Sequence, residues 1–582
     1  MQEIKLWTRK FFQNFGQYLF LVLSISLLTE LVLIPFFRLL TTFILQAGKI
    51  PFISFQNIRV LLRIHPWVCL ELLLELVVIV IIIYLEFSYL MIGVKKINDN
   101  EFDLKKVIFQ TGTAFKQLRI GSAFYLILYF ILIVPVIDII YRTPLLAEMH
   151  LPQFIVDYLT RSSLLVGILI IGYLLILYLG WRSIFVLPLI IIQQYSIKTA
   201  MKKSWRLTSR KAHLGIAGQL FLIIVFSTTI TFLIYGIILG LQLLEDLLLK
   251  KLAFGFVQVN LLLIQMVAFV MLSYTVELCI VKLLNILDNK QKFHKVSDSY
   301  HKVNFLFRLS VLIELGLAFF NNSFYLQNLE AKRPKIISHR GVSEKNGVQN
   351  TLAALKKTVR LKPDYVEIDL HETADKKLIV MHDENLKKLA NRNLRPHDLK
   401  LKQLQKITVA ENSYREKIVS FDEYLKEAQR FHQKLLIEIK TTPKDSPKLL
   451  KRFNKKYGKI ILKRNYQVQS LDYHVIEELH RLNPKLFLIY LQSYNLAYPS
   501  SVANGYAMEY STLNNSFIWQ AHLQKKIVYA WTVNKSNIIK KMMFLHVNGI
   551  ITDDVQETKY FLKVFNQENT YANQLLNYVS VF

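Results

Sequence analysis

The stretch Ile336-Ile337-Ser338-His339-Arg340-Gly341 places a histidine and an arginine directly after a short apolar run. Similar apolar runs at 365–368, 378–381 and 435–440 carry carboxylates or a histidine at or just beyond their ends. Each run is typical of a buried strand. Strands that deliver polar residues at their C-terminal ends build the active site of a (β/α)8 barrel. The sequence from 331 to 582 therefore predicts an α/β TIM-barrel domain.

Three carboxylates fall at these predicted strand ends. Glu367 and Asp369 are two residues apart, so their side chains leave the same face of a strand, and Glu438 arrives from another strand. Each alone would be an ordinary strand-end carboxylate. Together they form a hard oxygen donor set that suits Mg²⁺ or Ca²⁺, with water and a phosphate completing the shell. With two histidines nearby for proton transfer, the set suits metal-assisted phosphodiester cleavage.

The first half of the chain has a different character, because long Leu, Ile, Val and Phe stretches dominate it. A helix needs about 20 apolar residues to cross a bilayer. Residues 1–330 are therefore predicted to form a multi-span α-helical membrane domain. Seven spans are expected, at 17–39, 67–92, 121–141, 163–193, 214–243, 254–285 and 305–325.

The distribution of Lys and Arg predicts the orientation of these spans. The segments 1–16, 93–120, 194–213 and 286–304 are richer in Lys and Arg than the intervening loops, which places them in the cytoplasm. With seven spans, the catalytic domain lies on the extracytoplasmic side of the cell membrane; an eighth span would reverse this. Glu71 and Glu75 share one helix face and either line a polar path or pair with a neighbouring helix, the second being the preferred interpretation.

Charge and cysteine content exclude other classes. The net charge of +30 favours anionic lipid or a phosphate-bearing substrate as partner. Nucleic acid is not expected, because no binding motif accompanies the charge. The two cysteines, Cys69 and Cys279, lie in apolar spans, so neither a disulfide nor a zinc site is expected. No nucleotide-binding loop, nucleophile elbow or H-E-x-x-H pattern is found.

Residues 335–556 resemble the glycerophosphodiester phosphodiesterase family, and the first half is similar in layout to the multi-span region of its membrane-anchored Gram-positive members. The resemblance rests on short motifs in a fixed order: His339-Arg340-Gly341, Asn350-Thr351, Glu367-Ile368-Asp369, His382-Asp383, Glu438-Ile439-Lys440, Gln469-Ser470, Trp531-Thr532-Val533-Asn534 and Thr552-Asp553. It implies metal-dependent hydrolysis of a glycerophosphodiester or a lipid-derived phosphodiester to glycerol 3-phosphate and an alcohol, with a TIM-barrel fold.

The resemblance also implies roles for individual residues. His339 and His382 are expected as the acid/base pair, with the assignment of acid and base open. Arg340 and Lys440 are expected to bind phosphate, and Trp531 to contact the glycerol carbons. Gln349 departs from the pattern, because Glu usually precedes Asn350-Thr351. That change removes a charge and leaves hydrogen-bonding capacity.

Alternatives remain open at this point. They are a phosphatidylinositol-type phospholipase C, a phospholipase D-like or glycerol-phosphate polymer hydrolase, and a lipid-binding, transport or scaffold protein with an inactive barrel. The fold prediction also has one surplus, because nine strand candidates compete for eight places. We expect the run 503–508, or one neighbour, to lie outside the barrel.

Overall fold

The computed structural model describes residues 2–48, 50, 58–116, 122–137, 145, 153–160, 162–209, 212–287, 304–327, 333–494, 498, 501–567 and 570–581. The chain forms two compact units, one containing most of the first 327 residues and the other containing the C-terminal residues.

Within the described residues, the chain before residue 328 is helical. The α-helices are Gln2–Gln13, Phe15–Leu28, Ile34–Ala47, Ile58–Ile64, Pro66–Asn98, Leu104–Lys116, Ser122–Ile137, Gln153–Leu159, Ser163–Arg182, Val186–Gln193, Ile197–Leu207, Ala212–Leu248, Ala253–Leu287 and Asn304–Gln327, and the π-helical turn Thr29–Leu33 joins the second to the third. The described residues hold six apolar segments long enough to cross a membrane: Phe15–Ala47, Pro66–Asn98, Ser163–Gln193, Gly215–Leu248, Ala253–Leu287 and Phe305–Ser323.

These six segments correspond to six of the seven predicted spans. The prediction at 121–141 falls on the apolar helix Ser122–Ile137, which has 16 described residues; positions 121 and 138–141 lie outside the described part of the chain. Phe130 of this helix stacks on Phe87, with ring centroids 6.2 Å apart. The helix therefore packs inside the apolar core of the first unit.

The C-terminal unit is a closed barrel of parallel strands. Its strands are β1 (Lys335–Ser338), β2 (Tyr365–Glu372), β6 (Leu435–Ile439), β7 (Gln467–Ser470), β8 (Leu488–Gln492), β9 (Gly505–Glu509), β10 (Ile527–Trp531) and β11 (Gly549–Thr552). They follow the order β1-β11-β10-β9-β8-β7-β6-β2, and β2 pairs with β1 to close the ring. Their apolar side chains, with those of the surrounding helices, form the main core of the unit.

The surplus strand is not the one expected. The run 503–508 covers most of β9, which pairs in parallel with β8 and β10, so its suspected exclusion was wrong. Strand β3 (Leu378–Val380) lies outside the ring instead, because it pairs antiparallel with the end of β2. The reversal follows a tight turn in which Lys376 takes a φ of 59° and the Thr373 hydroxyl donates to the Asp375 carboxylate at 2.7 Å. His382 thus enters the site on a returning hairpin.

Short helices and a second hairpin complete the unit. The α-helices are Leu352–Val359, Lys387–Ala390, Leu401–Leu404, Phe421–Arg430, Leu449–Arg464, Tyr473–Leu482, Asn515–Leu523, Ser536–Phe544, Val555–Gln567 and Tyr571–Val581. Ser420 and Glu423 form a capping box that fixes the start of Phe421–Arg430. The hairpin consists of β4 (Thr408–Glu411) and β5 (Tyr414–Lys417), which pair only with each other among the described strands.

Candidate active site

The three predicted carboxylates meet at the C-terminal end of the barrel. In the register between β2 and β6, Asp369 lies beside Glu438, while Glu367 comes two residues earlier on the same face of β2. Glu367, Asp369 and Glu438 are all buried, and one ligand oxygen from each lies within 4.8 Å of the others. The strand register therefore assembles the acidic triad that the spacing predicts.

Partners surround the triad without neutralising it. Lys440 Nζ donates to Glu438 Oε1 at 2.6 Å and lies 3.2 Å from Asp369 Oδ1. Asn350 donates to Asp369 Oδ2 at 2.9 Å, and the backbone N–H of Arg340 donates to Glu367 Oε2 at 2.8 Å. Gln469 Nε2 also donates to Glu438 Oε2 at 3.4 Å, and Arg340 Nε lies 4.0 Å from Asp369 Oδ2. Three buried carboxylates thus have two cationic side chains near them, of which Lys440 is the closer.

The electrostatics of the triad follow from this imbalance. Burial raises the pKa of Glu367 well above its usual value, and the charges of Asp369 and Glu438 add to the effect. Burial also raises the pKa of Glu438, although Lys440 opposes the change. Burial alone would raise the pKa of Asp369, but the charges of Lys440, His382 and Arg340 lower it. Uncompensated carboxylate charge at buried oxygen ligands fits a hard divalent cation.

Each predicted histidine has a carboxylate on its Nδ1 atom. His339 Nδ1 lies 2.8 Å from Asp553 Oδ1, which is adjacent because Ser338 pairs with Thr552 between β1 and β11. Asn534 donates to the other oxygen of Asp553 at 2.7 Å. Burial would raise the pKa of Asp553, yet His339, Asn534 and Arg340 outweigh it and lower this pKa to about 2. Asp553 is thereby kept ionised beside the imidazole.

His382 has the same arrangement on the returning hairpin. Its Nδ1 atom lies 2.7 Å from Asp383 Oδ1. Its backbone carbonyl lies 3.1 Å from Nε2 of His371, a buried residue on the same face of β2 as Asp369. Burial and the Lys440 charge lower the pKa of His382 to about 4, although Asp369 and Asp383 oppose this. His382 is therefore neutral at neutral pH in the metal-free protein.

The predicted substrate residues surround the same opening. Arg340 has a left-handed backbone, with a φ of 55°, and its Nε donates to His339 Nε2 at 3.1 Å. Lys440 lies between Glu438 and Asp369. Trp531 is partly exposed at the end of β10, where its Nε1 donates to the Ala507 carbonyl at 3.1 Å. All eight predicted site residues thus lie at the C-terminal end of the barrel.

Comparison with known families covers both units. Residues 4–320 match the model for the membrane domain of glycerophosphoryl diester phosphodiesterase. Residues 339–557 match the glycerophosphoryl diester phosphodiesterase family. The chain belongs to the glycerophosphodiester phosphodiesterase family. As a member, it is a multi-pass membrane protein and a phosphoric diester hydrolase acting on glycerophosphodiesters.

Individual relatives align with the barrel. YhdW of Bacillus subtilis is 28% identical over 232 residues, covering 38% of this chain and 93% of the relative. Human lysophospholipase D GDPD1 is 27% identical over 283 residues, covering 40% of this chain and 87% of the relative. A phosphodiesterase of Oleispira antarctica, solved with the product sn-glycerol-3-phosphate, is 18% identical over 40% of this chain and 97% of that one, with a TM-score of 0.35.

Several residues of this phosphodiesterase site were not assigned a role from sequence. Asn350, Asn534 and Asp553 belong to quoted motifs, and their motif positions were the available signal. His371 follows Asp369 by two residues, so strand periodicity alone places it on the same face. Glu411 is different: it approaches the site from the separate β4–β5 hairpin, and nothing in its local sequence marks it.

Proposed function

We propose that this protein hydrolyses glycerophosphodiesters to glycerol 3-phosphate and an alcohol at the membrane surface. The reaction uses Mg²⁺ or Ca²⁺ and two-histidine acid/base catalysis. One observation carries the proposal: the buried triad and two imidazoles, each with a carboxylate on Nδ1, share one end of the barrel. This combination supplies both a cation site and proton-transfer groups, which suits metal-dependent phosphodiester hydrolysis.

Glu367, Asp369 and Glu438 are the residues that hold the cation in this proposal. A bound divalent cation neutralises charge on a phosphate and polarises its oxygens. The raised pKa of Glu367, which follows from burial and two neighbouring carboxylates, supports the site, because a cation removes that repulsion. Asn350 and Lys440 orient Asp369 and Glu438 through their hydrogen bonds.

His339 and His382 move the protons in this proposal. Asp553 and Asp383 occupy the Nδ1 atoms, which leaves each Nε2 for the reacting groups. Because Arg340 Nε donates to His339 Nε2, that nitrogen carries no proton in the substrate-free arrangement. In this proposal, the imidazole that acts as base accepts the proton of the attacking hydroxyl at its Nε2, and the imidazole that acts as acid must first take up a proton at its own Nε2 before it can protonate the leaving alkoxide.

Substrate binding follows from charge and shape. Arg340 offers a planar donor set and Lys440 a point charge for phosphate oxygens. The partly exposed ring of Trp531 offers an apolar wall to the glycerol carbons. Membrane attachment favours lipid-derived substrates: deacylated phospholipids, lysophospholipids or poly(glycerol phosphate).

We place the barrel on the extracytoplasmic side. The support is the excess of Lys and Arg in the four segments predicted to be cytoplasmic. One of these segments, 194–213, contains the helix Ile197–Leu207, and Lys203 Nζ lies 3.6 Å from the centre of the ring of Tyr195, which precedes this helix. This orientation requires a seventh span, and the proposal takes the apolar helix Ser122–Ile137, with 16 described residues, as part of it.

The test is release of glycerol 3-phosphate from glycerophosphocholine and from glycerophosphoglycerol by the purified full-length protein. Each substrate is assayed with Mg²⁺, with Ca²⁺ and with EDTA, beside the variant His339→Ala. We expect cation-dependent release that the substitution abolishes. Release that persists in EDTA or in His339→Ala would contradict the mechanism, and no release from folded, cation-loaded protein would contradict the activity on these substrates.

A further inference from the structure

A relay of hydrogen bonds connects Arg340 to a hairpin outside the barrel. Arg340 Nη1 donates to Gln349 Oε1 at 2.8 Å. Gln349 Nε2 donates to Glu411 Oε1 at 2.8 Å, and the backbone N–H of Gln349 donates to Glu411 Oε2 at 3.0 Å. Glu411 is the last residue of β4, in the two-stranded hairpin. A carboxylate outside the barrel thus reaches a phosphate-binding arginine through one buried amide.

The chemistry of the three groups permits only one orientation of this amide. A guanidinium has donors and no acceptor, so it requires the oxygen of Gln349. An ionised carboxylate has acceptors and no donor, so it requires the nitrogen. Gln349 is 5% exposed, which leaves its amide little access to water. Without the carboxylate, the amide is free to rotate and present its NH₂ group to Arg340, which cannot accept it.

The position of Glu411 does not depend on its own side chain. Asn412 Nδ2 donates to the Gly347 carbonyl at 3.1 Å, next to the loop that carries Gln349. Val409 is 2% exposed and packs in one apolar cluster with Val348. Asn412 and Val409 therefore anchor the hairpin on both sides of Glu411. The Glu411 carboxylate is not needed for this anchoring and can serve to hold Gln349.

The arginine at the end of this relay contacts the reacting groups. Its Nε atom donates to His339 Nε2, and its backbone N–H donates to Glu367 Oε2. Nη1 is the guanidinium atom that Gln349 holds, so the amide determines how the planar group faces the opening. A guanidinium held in one plane binds phosphate with two parallel hydrogen bonds.

We propose that Glu411 is a positioning residue for the phosphate site: it fixes the Gln349 amide, which holds Arg340 ready for the substrate phosphate. This inference rests on the proposed function, since phosphate is taken as the ligand of Arg340. It assigns a task in hydrolysis to a hairpin that lies outside the (β/α)8 ring.

Exchanging the two groups tests this relay. Glu411→Gln places an amide against an amide, and Gln349→Glu places a carboxylate against a carboxylate. The double variant, Gln349→Glu with Glu411→Gln, restores a complete set of donors and acceptors in reversed order. Glu416→Gln is the matched control, because Glu416 lies on β5 of the same hairpin and its substitution removes the same charge.

Two readouts are taken on the full-length protein: the dissociation constant for glycerol 3-phosphate by calorimetry, and kcat and KM for glycerophosphoglycerol. We expect each single variant to weaken glycerol 3-phosphate binding about tenfold, since hydrogen bonds to charged groups are involved. We expect the double variant to return to within about threefold of the wild type, with Glu416→Gln unchanged and thermal unfolding similar throughout.

Losses that multiply in the double variant would overturn the proposal, as would a Glu411→Gln variant that binds like the wild type. A purely structural role of Glu411 gives the same loss in both backgrounds, and so does not produce the recovery. If wild-type protein turns over no glycerophosphodiester while glycerol 3-phosphate binding shows the recovery, the proposed activity fails and the relay stands.

Discussion

The two halves of this chain treat buried carboxylates in opposite ways. In the barrel, Glu367, Asp369 and Glu438 converge within 4.8 Å at the ends of two neighbouring strands. In the membrane half, carboxylates are dispersed: Glu75 accepts from the Thr41 hydroxyl at 2.7 Å, and Glu86 accepts from the Thr29 hydroxyl at 2.6 Å.

We interpret the gathered carboxylates of the barrel as chemical groups and the separate carboxylates of the membrane half as structural ones. Like charges gathered in a buried place oppose folding, so a protein retains them for a ligand or a reaction. In the membrane half, Glu75 and Glu86 each have one oxygen paired with a threonine hydroxyl from another helical segment, with no second carboxylate involved in the contact. Of the two carboxylates predicted to share a helix face, Glu75 is buried and bonds Thr41, as the pairing interpretation expects, whereas Glu71 is exposed.

The largest effect should come from the histidines of the barrel. We expect His339→Ala and His382→Ala each to lower kcat by roughly 10²- to 10⁴-fold, because each removes a proton-transfer group. His474→Ala, on an exposed position of the helix Tyr473–Leu482, is the control and should retain wild-type turnover. Steady-state release of glycerol 3-phosphate measures all three. An active His382→Ala variant would remove that residue from the mechanism.

The next largest effect should be on the free energy of unfolding, because Lys440 offsets the repulsion among the three buried carboxylates. Lys440→Met should lower the free energy of unfolding by about 3 kcal/mol in cation-free protein, because it leaves buried carboxylates without their ammonium. Lys456→Met breaks the exposed pair with Asp422 and should cost less than about 1 kcal/mol. Chemical denaturation compares them. Equal losses of unfolding free energy in the two variants would mean that Lys440 stabilises the fold no more than an exposed ion pair does.

A third prediction concerns pH. The pKa of His382 is lowered from 6.5 to about 4, so its ring should stay neutral down to about pH 4 in cation-free protein. Because the folded-state pKa is the lower one, protonation favours the unfolded chain, and stability should fall as the pH drops from about 6.5 towards 4. Deuterium exchange at the imidazole C2 position, followed by mass spectrometry, gives this pKa. A value at or above that of the denatured chain would contradict the burial argument.

The smallest effect should come from the membrane half. In Glu75→Gln the amide oxygen still accepts from Thr41, so we expect hydrolysis of a soluble glycerophosphodiester to stay within about twofold of the wild type. The same assay as for the histidine variants measures it. A tenfold loss of hydrolysis in Glu75→Gln would implicate this membrane-half carboxylate in the reaction and would contradict the contrast between the two halves.

The sequence was sufficient where periodicity and strand ends control placement. Glu367, Asp369 and Glu438 follow from the side-chain alternation of β2 and the end of β6, and the apolar runs predict the membrane helices. Apolar length alone does not determine the number of spans, because the segment predicted at 121–141 has a helix of 16 described residues.

Features that depend on chain reversals could not be predicted from the sequence. The direction of β3 is determined by a turn in which Lys376 adopts a positive φ, and an apolar run reads alike in either direction. Glu411 lies 62 residues from Gln349, on a hairpin that joins no barrel strand. Its contact becomes visible only when the Gly347 carbonyl and the Val348 side chain bring that hairpin to the site.

The most direct test of the central claim is cation binding measured together with turnover. The full-length protein, freed of metal and titrated with Mg²⁺ or Ca²⁺, should bind one catalytic ion per chain and release glycerol 3-phosphate in proportion to occupancy. Asp369→Asn should lose both properties while remaining folded. Undiminished binding and turnover in Asp369→Asn would contradict the account, because the triad would then not be the site at which this chain performs its chemistry.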